Sequence, residues 1–81
     1  MKIYSVRDDK ASAYLPPFYA RTNGEAIHMF QNTLTDGQSN FAKWPADFIL
    51  FELGEFDENS GVITPLDAPH SLGNGVDLKQ Q

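Results

Sequence analysis

The amino-acid sequence predicts a small α+β fold, in which one helix packs across a small antiparallel β-sheet in the order ββαββ and an extended C-terminal tail follows. Three observations carry this prediction: runs of β-forming residues, one stretch with apolar residues at helical spacing, and a turn cluster between two of the runs. The chain has 81 residues, no cysteine and a net charge of −5. This length allows one domain, and the lack of cysteine excludes disulfide bonds.

The first strands are predicted before the helix. Residues 2–7 alternate between polar and apolar side chains and are rich in β-formers, which indicates a strand. Pro16 and Pro17 cannot donate to a sheet ladder, so we expect a bent or edge connection there. Residues 18–21 then resume an extended run.

A helix is predicted at about residues 23–35. Thr22 stands before it and Glu25 follows three residues later, which is the spacing of an N-terminal capping box. After this cap, apolar residues recur on one helical face: Ala26, Ile27, Phe30 and Leu34.

The strand predicted at residues 48–56 is apolar on both faces for most of its length. Such a strand must be covered on both sides, and the single predicted helix covers only one of them. The other face needs the chain's own tail or a second copy, so we expect a homo-oligomer, most simply a dimer. Turn residues 57–61, with Gly61 suited to a positive φ, and a return strand at 62–64 complete a hairpin.

Residues 67–81 are predicted to form an extended or partly mobile tail. Gly, Pro and Asn residues interrupt any regular pattern in this region. We therefore expect a single α+β domain at residues 1–66 and a tail at 67–81.

The sequence lacks the patterns of catalytic, metal-binding and cofactor-binding sites. His28 and His70 are the only histidines, no Gly-x-Ser-x-Gly turn is present, and the carboxylates lack metal-ligand spacing. Alternation predicts that Glu52 and Glu55 lie on opposite faces of their strand, so that they cannot form a catalytic pair. We expect a protein that is not an enzyme, with no cofactor and no metal. No apolar run is long enough to span a membrane.

Basic and aromatic residues are concentrated in the first 44 residues, whereas seven of the eleven acidic residues lie in 45–81. Proteins that bind single-stranded nucleic acid need such a mixture, because cations contact phosphates and aromatic rings stack on unpaired bases. Aromatic side chains also form the core of small domains, and the residues alone favour that role. The candidate DNA-binding residues are Lys2, Arg7, Lys10, Tyr14, Tyr19, Arg21, Lys43 and Trp44.

Three stretches carry a family resemblance: MKIYSV at 1–6, YLPPF at 14–18 leading into TNGEA at 22–26, and LFELGEFD at 50–57. Together they resemble the small nonstructural protein of gokushoviruses, which are single-stranded DNA bacteriophages of the Microviridae. The resemblance covers residues 1–66. It implies a phage accessory protein in the cytoplasm of the bacterial host, of a kind described as DNA-binding and likened to the protein that switches phage replication from duplex synthesis to single-strand packaging.

Two functions remain open from the sequence. The first is non-enzymatic binding of single-stranded DNA in the switch from genome replication to packaging. The second is an acidic protein–protein adaptor that binds a phage replication or capsid protein or a host factor, since an acidic surface suits a basic partner. Basic residues gathered on one face would favour DNA, whereas scattered basic residues with an exposed apolar patch would favour the adaptor.

Overall fold

The computed structural model describes residues 1–79, which form one β-sheet with α-helices packed on it. The elements of this part of the chain are β1 Lys2–Asp8, β2 Ala13–Tyr14, β3 Phe18–Ala20, α1 Asn23–Leu34, α2 Asn40–Lys43, a 3-10 helix at Pro45–Asp47, β4 Phe48–Phe56, β5 Ile63–Asn74 and α3 Gly75–Lys79. The α+β class and the small antiparallel sheet are confirmed. The ββαββ order is not, because the sheet formed by residues 1–79 holds five strands. Among these residues, no helix is long and apolar enough to cross a membrane.

The sheet is antiparallel with the strand order β2-β1-β4-β5, and β3 also pairs with β1. One edge of β1 pairs with β4, and the other edge is shared by the two short strands. Arg7 and Asp8 lie opposite β2, while Lys2–Tyr4 lie opposite β3. Pro16 and Pro17 fall in the connection between the short strands, as their missing N–H groups predict.

A β-bulge in β4 changes the side of the sheet to which the following residues point. Tyr4 lies opposite Glu52, whereas Ile3 lies opposite Gly54, so Leu53 is the additional residue. Residues directly opposite each other in an antiparallel pair share one face.

This bulge overturns one sequence prediction. Glu55 lies opposite Lys2 and therefore faces the same side as Glu52, which lies opposite Tyr4. The predicted separation of Glu52 and Glu55 onto opposite faces is wrong, because strict alternation does not continue through a bulge.

The helices of residues 1–79 lie on one side of the sheet, which we call the covered face, and the core fills the space between them. Val6 and Leu50 of the sheet pack there with Phe30 and Leu34 of α1. The molecule measures 39 × 24 × 19 Å, as expected for two layers.

Tyr4 is the largest fully buried side chain of the covered face. Its hydroxyl donates a hydrogen bond to Asn23 Oδ1 at 2.7 Å, which joins the sheet to the first turn of α1. Burial raises the pKa of Tyr4 to about 12, and the negative charges of Glu52 and Glu25 add to the effect.

Helix α1 begins where the sequence predicts. Thr22 has an extended backbone, and its Oγ1 accepts a hydrogen bond from the Glu25 N–H at 3.1 Å. The predicted apolar stripe is the face that packs on the sheet: Ala26, Ile27, Phe30 and Leu34.

The C-terminal region differs most from the sequence prediction. The return strand continues as β5 to Asn74, and α3 follows where an extended or mobile tail is predicted. Leu78 of α3 is buried in the core, and its carbonyl oxygen accepts a hydrogen bond from Gln31 Nε2 at 2.8 Å. Residues 80 and 81 of the predicted tail lie outside the described residues.

Strand β5 forms one edge of the sheet and contains Pro65 and Pro69. It pairs with β4 through 63–65 and again from His70 onward, so that the four residues 66–69 bulge out opposite the single residue Leu53. The two strands approach closely at Gly54, where an added Cβ would lie 2.9 Å from the Cα of Pro65. The turn before β5 has its predicted positive φ, 77° at Gly61.

Candidate nucleic-acid interface

The side of the sheet opposite the helices carries no packed element of residues 1–79, and we call it the open face. Ile3 and Ser5 lie at its centre and are buried by their neighbours, whereas Tyr14 and Tyr19 are 42% and 46% exposed. The strand register places twelve side chains on this face: Ile3, Ser5, Arg7, Tyr14, Tyr19, Ile49, Phe51, Phe56, Ile63, Pro65, Ser71 and Asn74.

Two pairs of aromatic rings lie on the open face, near opposite ends of β1. The ring centroids of Tyr14 and Phe51 are 5.6 Å apart with an angle of 67° between the planes. Those of Tyr19 and Phe56 are 6.1 Å apart with an angle of 54°. The bulge at Leu53 turns Phe56 to this side, so both pairs lie on the same face, with Ile3 and Ser5 of β1 between them.

Arg7 is the one charged side chain that the register of the described strands places on the open face. Its guanidinium carbon lies 5.6 Å from the centre of the Tyr14 ring, and its Nε donates to Asp9 Oδ1 at 3.1 Å. The hydrogen bond to Asp9, followed by the contact with Tyr14, raises the pKa of Arg7 above its ordinary value. The site therefore combines partly exposed aromatic rings, in edge-to-face and tilted contacts, with a permanent positive charge.

The structure does not bring all eight candidate DNA-binding residues together. Arg7, Tyr14 and Tyr19 share the open face. Lys2 lies on the covered face, where its Nζ is 3.7 Å from Glu52 Oε2, and Arg21 is exposed in the turn between β3 and α1.

A second group of candidates lies beside the turn between β1 and β2. Lys10 and Trp44 line a shallow pocket, and Lys10 Nζ is 3.4 Å from Asp47 Oδ2. Lys43 is exposed at the end of α2, next to Trp44. The basic residues are thus scattered, and Lys2, Arg7 and Lys10 are each paired with a carboxylate.

The sequence prediction missed Phe51, Phe56 and Ile63 as site residues. The sequence predicts all three as strand residues without giving them a role in binding. The two-sided apolar pattern of 48–56 was the available signal, since it required a cover that residues 1–79 do not supply on the open face.

The hairpin between β4 and β5 carries a concentration of negative charge. Glu55, Asp57 and Glu58 are exposed there. The N–H groups of Asn59 and Ser60 donate to Asp57 Oδ1 at 2.8 and 3.3 Å, and these hydrogen bonds lower the pKa of Asp57. This end of the molecule therefore repels phosphate and attracts cations.

Glu52 connects three strands on the covered face. Its carboxylate lies 3.7 Å from Lys2 Nζ on β1 and 3.8 Å from His70 Nδ1 on β5. Within residues 1–79, no group of three His, Asp or Glu side chains is arranged to hold a metal ion. The arrangement links strands together rather than forming a ligand set.

Comparison with curated proteins gives no match, and comparison with solved structures gives none either. A family model described as Phage ORF5 protein matches residues 1–78, which run from β1 into α3. The match includes both faces of the sheet and every residue of the two aromatic pairs. The chain therefore belongs to the Phage ORF5 protein family, a family of bacteriophage proteins.

Proposed function

We propose that this phage protein is a non-enzymatic accessory protein of the gokushovirus type, which binds single-stranded DNA on the open face. It acts in the host cytoplasm in the switch from genome replication to packaging. The observation that carries the proposal is the row of aromatic rings on the open face with Arg7 beside it.

Stacking supplies the specificity for single strands. Antiparallel sheets that bind single-stranded nucleic acid present aromatic rings on one face, and each stacked base contributes about 1–3 kcal/mol. Tyr14 and Tyr19 are exposed enough to meet a base, with Phe51 and Phe56 beside them. The Tyr14 pair is the better placed for DNA, because it lies next to Arg7, whereas the Tyr19 pair lies next to the acidic hairpin. Bases in a duplex are already stacked on each other and cannot use this surface without being unpaired.

Arg7 supplies a contact to the DNA backbone. Its partner Asp9 is about half exposed, and a surface ion pair of this kind contributes little to stability. A phosphate can therefore replace Asp9 at little cost. The guanidinium group would keep its contact with the Tyr14 ring while it binds the phosphate.

The distribution of charge limits the affinity. Lys2 and Lys10 are held by carboxylates away from the open face, and the whole chain carries a charge of −5. Since each phosphate contact on a single strand contributes a salt slope of about −0.7, we expect a slope shallower than about −3 for each protomer.

A binding titration tests the proposal. Fluorescence anisotropy is measured with labelled oligothymidylate and with a duplex at several salt concentrations, for the wild type, Tyr14→Ala and Met29→Ala. Met29 is a matched control because it is 40% exposed on α1, on the other side of the molecule. Weak binding that prefers single strands and is reduced only by Tyr14→Ala is the expected result. Equal affinity for the duplex, or no binding at low salt, would contradict the proposal.

The adaptor remains the second candidate because of one observation. The ion pairs of Lys2, Arg7 and Lys10 leave few basic groups for DNA, while the β4–β5 hairpin presents Glu55 and Glu58 to solvent. A basic protein would complement this hairpin. Absence of DNA binding together with salt-sensitive binding of a basic phage protein would favour the adaptor, and Glu58→Lys should then weaken that binding.

A further inference from the structure

The open face is too apolar to be a simple solvent-exposed surface. Ile49, Phe51, Phe56 and Ile63 lie on it, and Ile63 is 60% exposed. Monomeric proteins rarely expose large contiguous apolar patches, and these four residues lie on neighbouring strands of one face. Some occupant of this face is therefore expected when no DNA is bound.

The charges of the open face indicate a second copy of this chain as that occupant. Arg7 is its single charged residue among the described strands, and Asp9 already neutralises it. A basic partner would find no carboxylate on the face, whereas two copies facing each other bring no uncompensated charges together. Charge depletion of this kind is typical of the centre of a protein–protein interface.

The size of the face is sufficient for a stable dimer. The molecule measures 39 × 24 × 19 Å, and the nine-residue strand β4 runs through the middle of its sheet. A standard interface buries about 800 Å² on each partner, which a face of this extent can supply. Two sheets packed face to face would also give β4 the second cover that its two-sided apolar pattern requires.

We propose that a second copy covers the open face in the free protein, and that single-stranded DNA and the second copy compete for it. The competition rests on the proposed function, because both occupants use the rings of Tyr14 and Phe51. The dimer itself does not depend on DNA binding.

Competition makes the apparent DNA affinity depend on protein concentration. A molecule in the dimer must release its partner before its open face can bind DNA, so the apparent dissociation constant rises as the dimer becomes more populated. The dimer would thus keep the DNA-binding rings out of water until single strands accumulate.

Sedimentation velocity of the full chain at micromolar concentrations tests the dimer and its location. The variants are Ile63→Asp on the open face and Met29→Asp on α1 as the matched control, since both residues are exposed and neither belongs to the core. The wild type and Met29→Asp should sediment as dimers, and Ile63→Asp should raise the dimer dissociation constant by at least about tenfold. Tyr14→Glu provides a second substitution on the open face. A monomeric wild type, or equal effects of Ile63→Asp and Met29→Asp, would overturn the proposal.

Addition of oligothymidylate to the wild type tests the competition. Conversion of dimers into complexes of one chain with DNA supports it. Dimers that bind DNA without dissociating would overturn the competition but leave the proposed function intact. Dimers that bind no DNA would reject the proposed function and the competition, and only the dimer would stand.

Discussion

The two faces of the sheet are built from the same strands but differ in what they contact. On the covered face, Leu50 is fully buried against the helices, whereas its neighbour Phe51 points to the open face and is only half-buried. Both residues are large and apolar, so the sequence gives no reason to distinguish them. The difference shows that apolar residues of one strand can pack against helices on one side of a sheet and remain partly exposed on the other.

The largest expected effect separates Leu50 from Phe51. Leu50→Ala should lower the free energy of unfolding by about 2–5 kcal/mol, because it leaves a cavity in a packed core. Phe51→Ala should cost less, although it removes the larger side chain, since part of the ring is already exposed. Urea denaturation at several protein concentrations measures both. An equal cost that is independent of protein concentration would mean that the open face is packed within the monomer.

The next effect compares the open face with the second group of candidate residues. Tyr14→Ala should weaken binding of single-stranded DNA by about 1–3 kcal/mol. Trp44→Ala, at another candidate DNA-binding residue, should have a smaller effect, because Trp44 lies beside Lys10 in a pocket that contains neither aromatic pair. Anisotropy titrations at low salt compare them. If Trp44→Ala weakens DNA binding more than Tyr14→Ala does, the binding site lies at the β1–β2 turn instead of on the open face.

A pH dependence should mark the covered face. The pKa of Tyr4 is raised from 10.0 to about 12 by burial, so the unfolded chain loses this proton first as the pH rises. The contribution of Tyr4 to the free energy of unfolding is fully present below pH 10 and should fall by on the order of 2 kcal/mol as the pH rises to 12. Denaturation curves at alkaline pH measure the loss. Tyr4→Phe should remove this loss of stability at alkaline pH. If the unfolding free energy of the variant falls with pH as it does in the wild type, the loss belongs to other groups.

The smallest effect concerns the helix that covers one face. Thr22→Ala removes the side-chain acceptor of the Glu25 N–H and should cost about 0.5–2 kcal/mol in stability. DNA binding should not change, because Thr22 lies outside the open face. An unchanged denaturation midpoint would mean that the cap contributes nothing, and weaker DNA binding by the folded variant would link the two faces.

Local signals predicted the parts of the fold that depend on local chemistry. The start of α1 is set by Thr22 and Glu25, which are three residues apart, and Pro16–Pro17 separates neighbouring short strands. The bulge at Leu53 depends instead on how β4 pairs with β1, about fifty residues away, and no pattern within β4 announces it. Burial of Leu78 likewise depends on contacts with α1. The Gly, Pro and Asn residues before Leu78 interrupt any regular pattern, so the sequence does not predict these contacts.

The candidate site was predicted in part for the same reason. The chemistry of Arg7, Tyr14 and Tyr19 makes them candidates, and pairing of β2 and β3 with β1 brings the two tyrosines to the face that carries Arg7. Lys2 and Lys10 are candidates on the same ground, but their positions leave them beside Glu52 and Asp47. Residue type alone cannot tell a free cation from one held by a carboxylate.

The prolines of β5 affect how the protein behaves when it is abundant in an infected cell. β5 is an edge strand, and Pro65 and Pro69 offer no N–H to a further strand. Addition of one sheet to the edge of the next, which is how open-ended fibrils grow, is therefore hindered. The proposed face-to-face pairing, in contrast, would end after two molecules. In such a dimer, an apolar sheet face would lead to a finite assembly rather than to an open-ended one.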